Sequence, residues 1–366
     1  MYFLAQALQG MGGRRVVELA LHDLPANRKL AGELGLTGIH WLPWLGWRDD
    51  VRQKRKLLRE GSWNLVHSIG VGVRIFQMGN PPGGRRRRVY DFDEHLSTIR
   101  SNGLARRLYH GWVERFMLRQ GHAFTCASEA LLQWVRGVRP DLQREILYLP
   151  VAISPQEHRE DSALMERLRR RYRGRRLLLY VGTLTPMYRD QVEEIFSLAI
   201  RWQQEGRGDP PLILALGGGV DLEFWRQRTA AAGLAAHVEF PGFVPRAELA
   251  SHLAVADALL FPFPPTEQNL GRCPTKAFHY AASGRPLVTN DVGEVGRLFG
   301  ASAYYYPSGN LAEMSAQVDR ALRREDPRPP LVFDSLTWEA RARTYSSWLD
   351  ELPPLALALG TAARRG

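Results

Sequence analysis

The chain of 366 residues contains only two cysteines, Cys126 and Cys273. They stand far apart with no metal-ligand spacing, which excludes a disulfide framework and a cysteine-based zinc site and fits a reducing, cytoplasmic setting. No apolar run reaches the ~18 residues that suggest a membrane span. Met1-Tyr2-Phe3-Leu4 lacks the basic flank and long apolar core of a signal peptide. Zinc-finger spacing, an RNA-binding aromatic motif and a helix-turn-helix pattern are all missing, so nucleic acid is not an expected partner. No acidic cluster has the make-up of a metal site. The first half is also short of acid: residues 1–150 carry 23 Lys and Arg against 13 Asp and Glu, and the remainder carry 26 against 25. Nearly all of the net charge of +11 therefore lies in the first half. That half is expected to face something anionic: a lipid headgroup surface, a lipid-linked phosphate or an acidic polymer.

What is present is alternation. A length of 366 residues with 45% hydrophobic content suits two globular domains. In the first half, strand-like runs at 16–21, 38–43, 63–68, 88–92, 123–127 and 146–150 are separated by helical stretches at 52–60, 104–120 and 129–136. Ser128 is placed to cap the last of these helices. In the second half, apolar strands at 176–181, 212–216, 238–240, 258–261 and 286–289 are of the type buried on both faces. Such alternation predicts two parallel, doubly wound α/β domains, with ligands at the carboxyl ends of the strands. The expected boundaries are 1–150, a linker with a basic helix at 151–174, 175–330, a packing helix at 331–351 and a fraying tail at 352–366. The start is unusual. Residues 2–10 read as the end of a helix, and Gly12-Gly13 leads straight into a strand, whereas a doubly wound domain opens with a strand and a glycine loop before that first helix. Either the chain begins late or another element fills the edge.

The stretch from Arg272 to Val288 carries the most chemistry. It reads as a loop, a short helix begun at Pro274, a stop at Gly284 and a buried strand. The free N–H groups of the first turn, around Thr275 and Lys276, form an anion site to which Lys276 adds a full charge. A phosphate group is its natural ligand.

Taken in chain order, several segments together resemble the retaining, two-domain glycosyltransferases of the GT-B fold, family 4. Tyr180-Val181-Gly182-Thr183-Leu184 is similar to the first strand and glycine loop of the donor domain. Leu214-Ala215-Leu216-Gly217-Gly218-Gly219 is similar to its second phosphate-side turn. Residues 238–245, with Phe243 and Val244, resemble the segment that holds the nucleotide base, and 256–262 the strand before the donor loop. Residues 274–288 resemble the diphosphate-binding helix. In the first half, 89–94 and 125–129 also match the pattern. The resemblance implies two Rossmann-like domains facing across a cleft, the first binding the acceptor and the second a nucleotide sugar. It implies transfer with retention, no cofactor and no metal. The acceptor would be lipid-linked or a polysaccharide, and the enzyme cytoplasmic or peripheral on the inner face of the plasma membrane. The chain departs from the pattern in three places. The family's pair of glutamates falls at Gly271 and His279, with Glu267 four residues before the first. The basic pair after the first glycine loop falls at Thr183 and at Tyr188 or Arg189. The conventional first strand of the first domain is absent. A branch of the family with a Pro-x-Lys helix start is closer to this chain.

These implications give each residue a role. Negative charge builds on the diphosphate as the glycosidic bond breaks, and Lys276, the Thr275 and Lys276 N–H groups and Arg189 are the candidates to stabilise it. His279 either hydrogen-bonds a ribose hydroxyl or sits in a packed polar contact. Glu267 either binds the sugar or is a loop charge. Gly182, Gly217 and Gly218 either admit the donor close to the backbone or only turn the chain. Asp93 or Glu94, just after a strand, orients or deprotonates the acceptor hydroxyl, or else caps a loop. His67 and Gly70 belong to the acceptor side, with a structural role the alternative for His67. Residues 41–48, 52–59 and 85–88 are rich in Trp and in basic groups. They suit an anionic membrane surface, the alternative being core tryptophans and a solvated basic face. A non-catalytic binding relative and a nucleotide-sugar epimerase are the other readings of the same fold.

Overall fold

The computed structural model describes residues 2–12, 16–68, 86–99, 103–325, 328–331 and 334–354. Gly70, Arg85 and the tail beyond 354 lie outside the described residues. The chain divides into two units, Met1–Val151 with Ser335–Gly366, and Ala152–Asp334.

Unit 1 holds β1 (Leu19–His22), β2 (Ile39–Leu42), β3 (Leu65–Ser68), β4 (Arg87–Phe92), β5 (Ala123–Cys126) and β6 (Ile146–Tyr148). They form a two-stranded sheet, β1-β2, and a four-stranded sheet, β3-β4-β5-β6, both parallel. A doubly wound sheet places its first strand between its second and fourth. Here the helix Tyr2–Gly10 precedes β1, and among the described residues no strand joins β1 to β3.

The core of the larger sheet is aromatic. Tyr90, Phe92 and Phe124 are buried with Met117 and Val135. Each such side chain contributes roughly 1.5–3 kcal/mol on burial. The helix Leu104–Gln120 turns His110, Val113, Glu114, Met117 and Leu118 inward. Glu114 is satisfied there, accepting hydrogen bonds from the Leu96 N–H and the Ser97 hydroxyl, both at 2.7 Å. The helix Glu129–Val138 starts where the Ser128 hydroxyl accepts from the Leu131 N–H at 3.1 Å. The C-terminal helix Trp338–Glu351 returns to unit 1: Trp348 Nε1 donates to the Arg144 carbonyl at 2.7 Å, and Phe3 stacks on Trp338 at 6.3 Å.

Unit 2 holds β7 (Leu177–Val181), β8 (Leu212–Leu216), β9 (Val238–Gly242), β10 (Ala258–Phe261), β11 (Leu287–Thr289) and β12 (Tyr304–Tyr305) in the order β12-β11-β10-β7-β8-β9, all parallel. The uninterrupted apolar runs of β7, β8 and β10 are buried because helices cover both faces. Trp202 and Trp225, fully buried, anchor the helices Arg189–Gln204 and Leu222–Ala231. The polar stretch expected as a linker is part of this unit. Asp161 caps the helix Ser162–Arg171 and its own N–H donates to Ser251 Oγ at 2.7 Å. Strand order reverses between β7 and β10, the topological switch point where such sheets bind ligands.

Removing the Glu114 carboxylate leaves two part-buried donors unmatched. Glu114→Ala should cost about 2–4 kcal/mol, read as a lowered urea midpoint for unit 1, with Glu114→Gln recovering part of the loss.

Candidate functional site at the carboxyl ends of β7 and β10

Three loops meet at the end of the unit 2 sheet. The Gly182 N–H donates to the Leu216 carbonyl, Leu184 N–H to Gly218 and Gly217 N–H to Gly242, each at 2.9 Å. This lacing requires glycine. Gly217 has φ +153°, and a Cβ there would strike the Gly182 carbonyl; one at Gly219, φ +148°, would strike that of Leu184. The glycines expected either to admit a ligand or to turn the chain thus serve first to press the β7 and β8 loops together. Thr183 lies exposed on that surface. Phe243, 78% exposed just after β9, has its Cβ against Gly218, while Val244 is half-buried. The result is a firm backbone floor beside an exposed aromatic ring.

Across the switch point, Pro274 leads into the helix Thr275–Ser283, which ends at Gly284 in the left-handed conformation (φ +62°). Thr275 is exposed on the first turn. Lys276 is turned inward. Its Nζ is buried, has no hydrogen-bond partner, and lies 4.9 Å from the Tyr180 ring, 5.0 Å from Phe261 and 5.6 Å from Tyr188. Arg272 joins it. This residue is 5% exposed, its Nε has no partner, and its guanidinium lies over Tyr188 at 4.9 Å and Phe263 at 5.1 Å. Burial, and then the charge of Arg272, lower the Lys276 pKa to about 7. No carboxylate pairs with either cation among the described residues. Aromatic faces return roughly 0.5–2 kcal/mol per cation, less than the several kcal/mol that burying a charge costs.

Arg189, expected beside Lys276, is held elsewhere. Its Nη2 and Nε donate to the buried Asp221 carboxylate at 2.7 and 3.1 Å, and its guanidinium also covers Phe224 at 5.2 Å. Arg272 takes the place foreseen for it. A trace of this was visible: from Gln268 to Asn290 the sequence contains no acid, so a cation in that run has no local partner.

His279 is buried, its Nδ1 unpartnered, with its ring 5.5 Å from that of His158. Burial first, then the charges of His158 and Arg246, lower its pKa to about 4, so it is neutral near pH 7. Glu267 is exposed on the short helix Glu267–Leu270, which Thr266 caps through the Asn269 N–H.

In unit 1, exposed Asp93 and half-buried Glu94 follow β4 directly, at the carboxyl end of its sheet. His67 is structural. Nδ1 hydrogen-bonds Tyr345 Oη at 2.8 Å, Nε2 meets Thr125 Oγ1 at 3.3 Å, and the ring stacks on Tyr345 at 5.4 Å. With both nitrogens engaged and burial lowering its pKa to about 3, His67 is not available to an acceptor. Gly70 is outside the described residues. The basic stretch 52–59 is divided: Lys54 is buried on Asp50 at 2.8 Å, whereas Arg52, Lys56 and Arg59 are exposed. Trp41 is half-buried under Arg28 at 4.6 Å, and Trp44 is exposed.

The architecture is that of the GT-B glycosyltransferases. The family model of the glycosyl transferases group 1 matches residues 175–324, within unit 2. The chain is 26% identical over 230 residues to 2-deoxystreptamine glucosyltransferase of Streptomyces kanamyceticus, covering 60% of this chain and 56% of that protein. It is 32% identical over 117 residues to the GDP-mannose-dependent alpha-(1-6)-phosphatidylinositol monomannoside mannosyltransferase of Mycobacterium tuberculosis (strain CDC 1551 / Oshkosh), covering 31% and 29%. The chain thus spans little more than half the length of the first of these relatives and under a third of the second. Among solved structures, sucrose-phosphate synthase from Thermosynechococcus elongatus superposes with a TM-score of 0.69 at 13% identity, covering 92% of this chain and 99% of that one. Anabaena Alr3699/HepE in complex with UDP and glucose gives 0.69 at 13%, covering 99% and 94%. Among the described residues no helix is long and apolar enough to cross a membrane, and no group of three or more His, Cys, Asp or Glu could hold a metal ion.

The depressed Lys276 pKa makes the site a pH-dependent cost to folding. The unfolded lysine keeps its proton to about pH 10.4, so stability should rise between about pH 7 and that value. Lys276→Met should therefore raise the melting temperature of unit 2 by several degrees at pH 6 and by clearly less at pH 9.5, measured calorimetrically.

Proposed function

We propose that the protein transfers a sugar from a nucleoside-diphosphate sugar to an acceptor bound by unit 1, with retention of anomeric configuration. One observation carries the reading: Lys276 and Arg272 are two buried cations without a counter-ion among the described residues, at the switch point of the sheet that the group 1 family model matches. A diphosphate satisfies both. Because its negative charge grows as the glycosidic bond breaks, cations already fixed there stabilise the transition state more than the ground state. The first-turn N–H groups of the helix Thr275–Ser283 add a smaller share, about 0.3–1 kcal/mol for an exposed helix end. Phe243 supplies a face for the base. His279, neutral, presents an imidazole where a carboxylate would otherwise take ribose hydroxyls, and Glu267 contacts the transferred sugar. No metal is assigned a role. The complex of Alr3699/HepE with UDP and glucose supports a nucleotide of this size as donor.

The acceptor is assigned to unit 1 on charge. Arg48, Arg52, Arg55, Lys56 and Arg59, with Val51 and the single carboxylate Glu60, line a shallow groove of about 460 Å³ along the helix Trp47–Glu60. A lipid-linked phosphate or an acidic polysaccharide suits such a lining, and the phosphatidylinositol-based acceptor in the name of the mycobacterial relative supports the former. Asp93 and Glu94 are the acceptor-side carboxylates. An anionic acceptor in a membrane agrees with a cytoplasmic protein held at the inner face of the plasma membrane.

The test is nucleoside-diphosphate release from a panel of UDP- and GDP-sugars, with and without phospholipid and polysaccharide acceptors. Lys276→Ala and Arg272→Ala should each lower kcat/KM by about 10²–10³-fold, and Arg189→Ala far less. Full turnover in both cation variants would contradict the proposal. Tight diphosphate binding without turnover on any acceptor would mark a binding protein instead, and an altered free nucleotide sugar an epimerase.

A further inference from the structure

The helix Leu104–Gln120 has an outer face that the inward packing of the unit 1 core does not explain. Its positions Leu104, Leu108 and Trp112 follow an i, i+4, i+8 stripe, and they are exposed, Leu108 by 67% and Trp112 by 52%. Tyr109, also exposed, stacks on Trp112 at 6.4 Å, and Trp112 stacks on Phe116 at 6.0 Å. Exposed Arg106 flanks the stripe, and exposed Arg115 and Arg119 continue it towards the C-terminal end. The single carboxylate of this helix, Glu114, is buried and bound by Leu96 and Ser97. The outer face is therefore apolar and cationic with no negative charge.

We propose that this face is a membrane-docking surface, lying flat on an anionic phospholipid bilayer. The choice of occupant rests on charge and residue type. Leu, Trp and Tyr interleaved with Arg are what an interfacial helix presents: apolar groups enter the acyl boundary, aromatic rings sit at headgroup depth, and arginines reach lipid phosphates. A helix of 17 residues, about 25 Å long, offers that face over its whole length when it lies parallel to the surface. The concentration of the chain's positive charge in its first 150 residues supplies the longer-range attraction. A protein groove that took the leucines and the tryptophan would also need to neutralise three arginines; an anionic bilayer does both at once. This deepens the membrane association proposed above and rests on it. Donor binding by unit 2 can be measured separately.

The experiment is flotation of the full chain with vesicles of phosphatidylcholine alone, or of phosphatidylcholine and phosphatidylglycerol in equal parts. The protein should float with the mixed vesicles and not with the neutral ones, and added salt should weaken the association. Leu108→Glu/Trp112→Glu should lose at least about tenfold in partitioning, and Arg115→Gln/Arg119→Gln about fivefold for each arginine removed. Melting temperature and UDP binding should match the parent chain in both variants. Trp112→Gln serves if the double glutamate variant unfolds. Equal partitioning of parent and variants overturns the proposal, as does failure of the parent to bind mixed vesicles. So does a change of oligomeric state in Trp112→Gln by light scattering, which would give the face to a second copy. UDP binding that persists when vesicle binding fails would leave the donor reading standing.

Discussion

Lys276 and Arg272 are buried side by side against aromatic rings, and among the described residues no carboxylate pairs with either. Most of unit 2 can be understood as the scaffold that makes this tolerable. Lys276 is delivered by the first turn of a helix whose start is set by Pro274 and whose end is set by Gly284. Tyr180 belongs to β7 and Phe261 to β10, the strands on either side of the switch point. Tyr188 bridges the two cations, within reach of both. The apolar strands beneath cannot hydrate either charge, so burial lowers the Lys276 pKa, and a bound anion would supply the missing stabilisation.

The glycine loops complete that arrangement from the other side. Their hydrogen bonds tie β7, β8 and β9 into one surface that has no room for side chains at Gly217 or Gly219. A polyanion over the cations would meet a fixed floor rather than a mobile loop. Fixed dipoles and charges need no reorganisation when charge develops.

Much of this was legible in the residues alone, for identifiable reasons. The strands of unit 2 are continuous apolar runs with glycine at their ends, so their type and order could be read, and the helix at 275–283 was bounded by Pro274 and Gly284. Side-chain destinations were not legible. Nothing local to Arg189 announces that Asp221, on a different loop, will claim it. Nor does anything near His67 reveal that Tyr345 returns from the far end of the chain to hold its ring. Both are long-range pairings across sequence separations of 32 and 278 residues. Arg272 was overlooked because its meaning lies in what is not beside it, namely a carboxylate. The outer face of the helix Leu104–Gln120 was hidden by composition. Which of the helix's apolar residues face inward is decided by packing, and burial gives that face to Val113, Met117 and Leu118.

The central claim is that an anion completes the Lys276–Arg272 pair, and it carries a proton signature. With its pKa at about 7, Lys276 is mostly neutral at pH 8.5, and a diphosphate at the site would restore its charge. The direct measurement is titration calorimetry of the full chain with UDP at pH 8.5 in two buffers of different ionisation enthalpy. At pH 8.5, where the nucleotide is fully ionised, binding should take up close to one proton, and none in Lys276→Met. Binding at pH 8.5 with no proton exchanged, or with the same exchange in Lys276→Met, would contradict the claim.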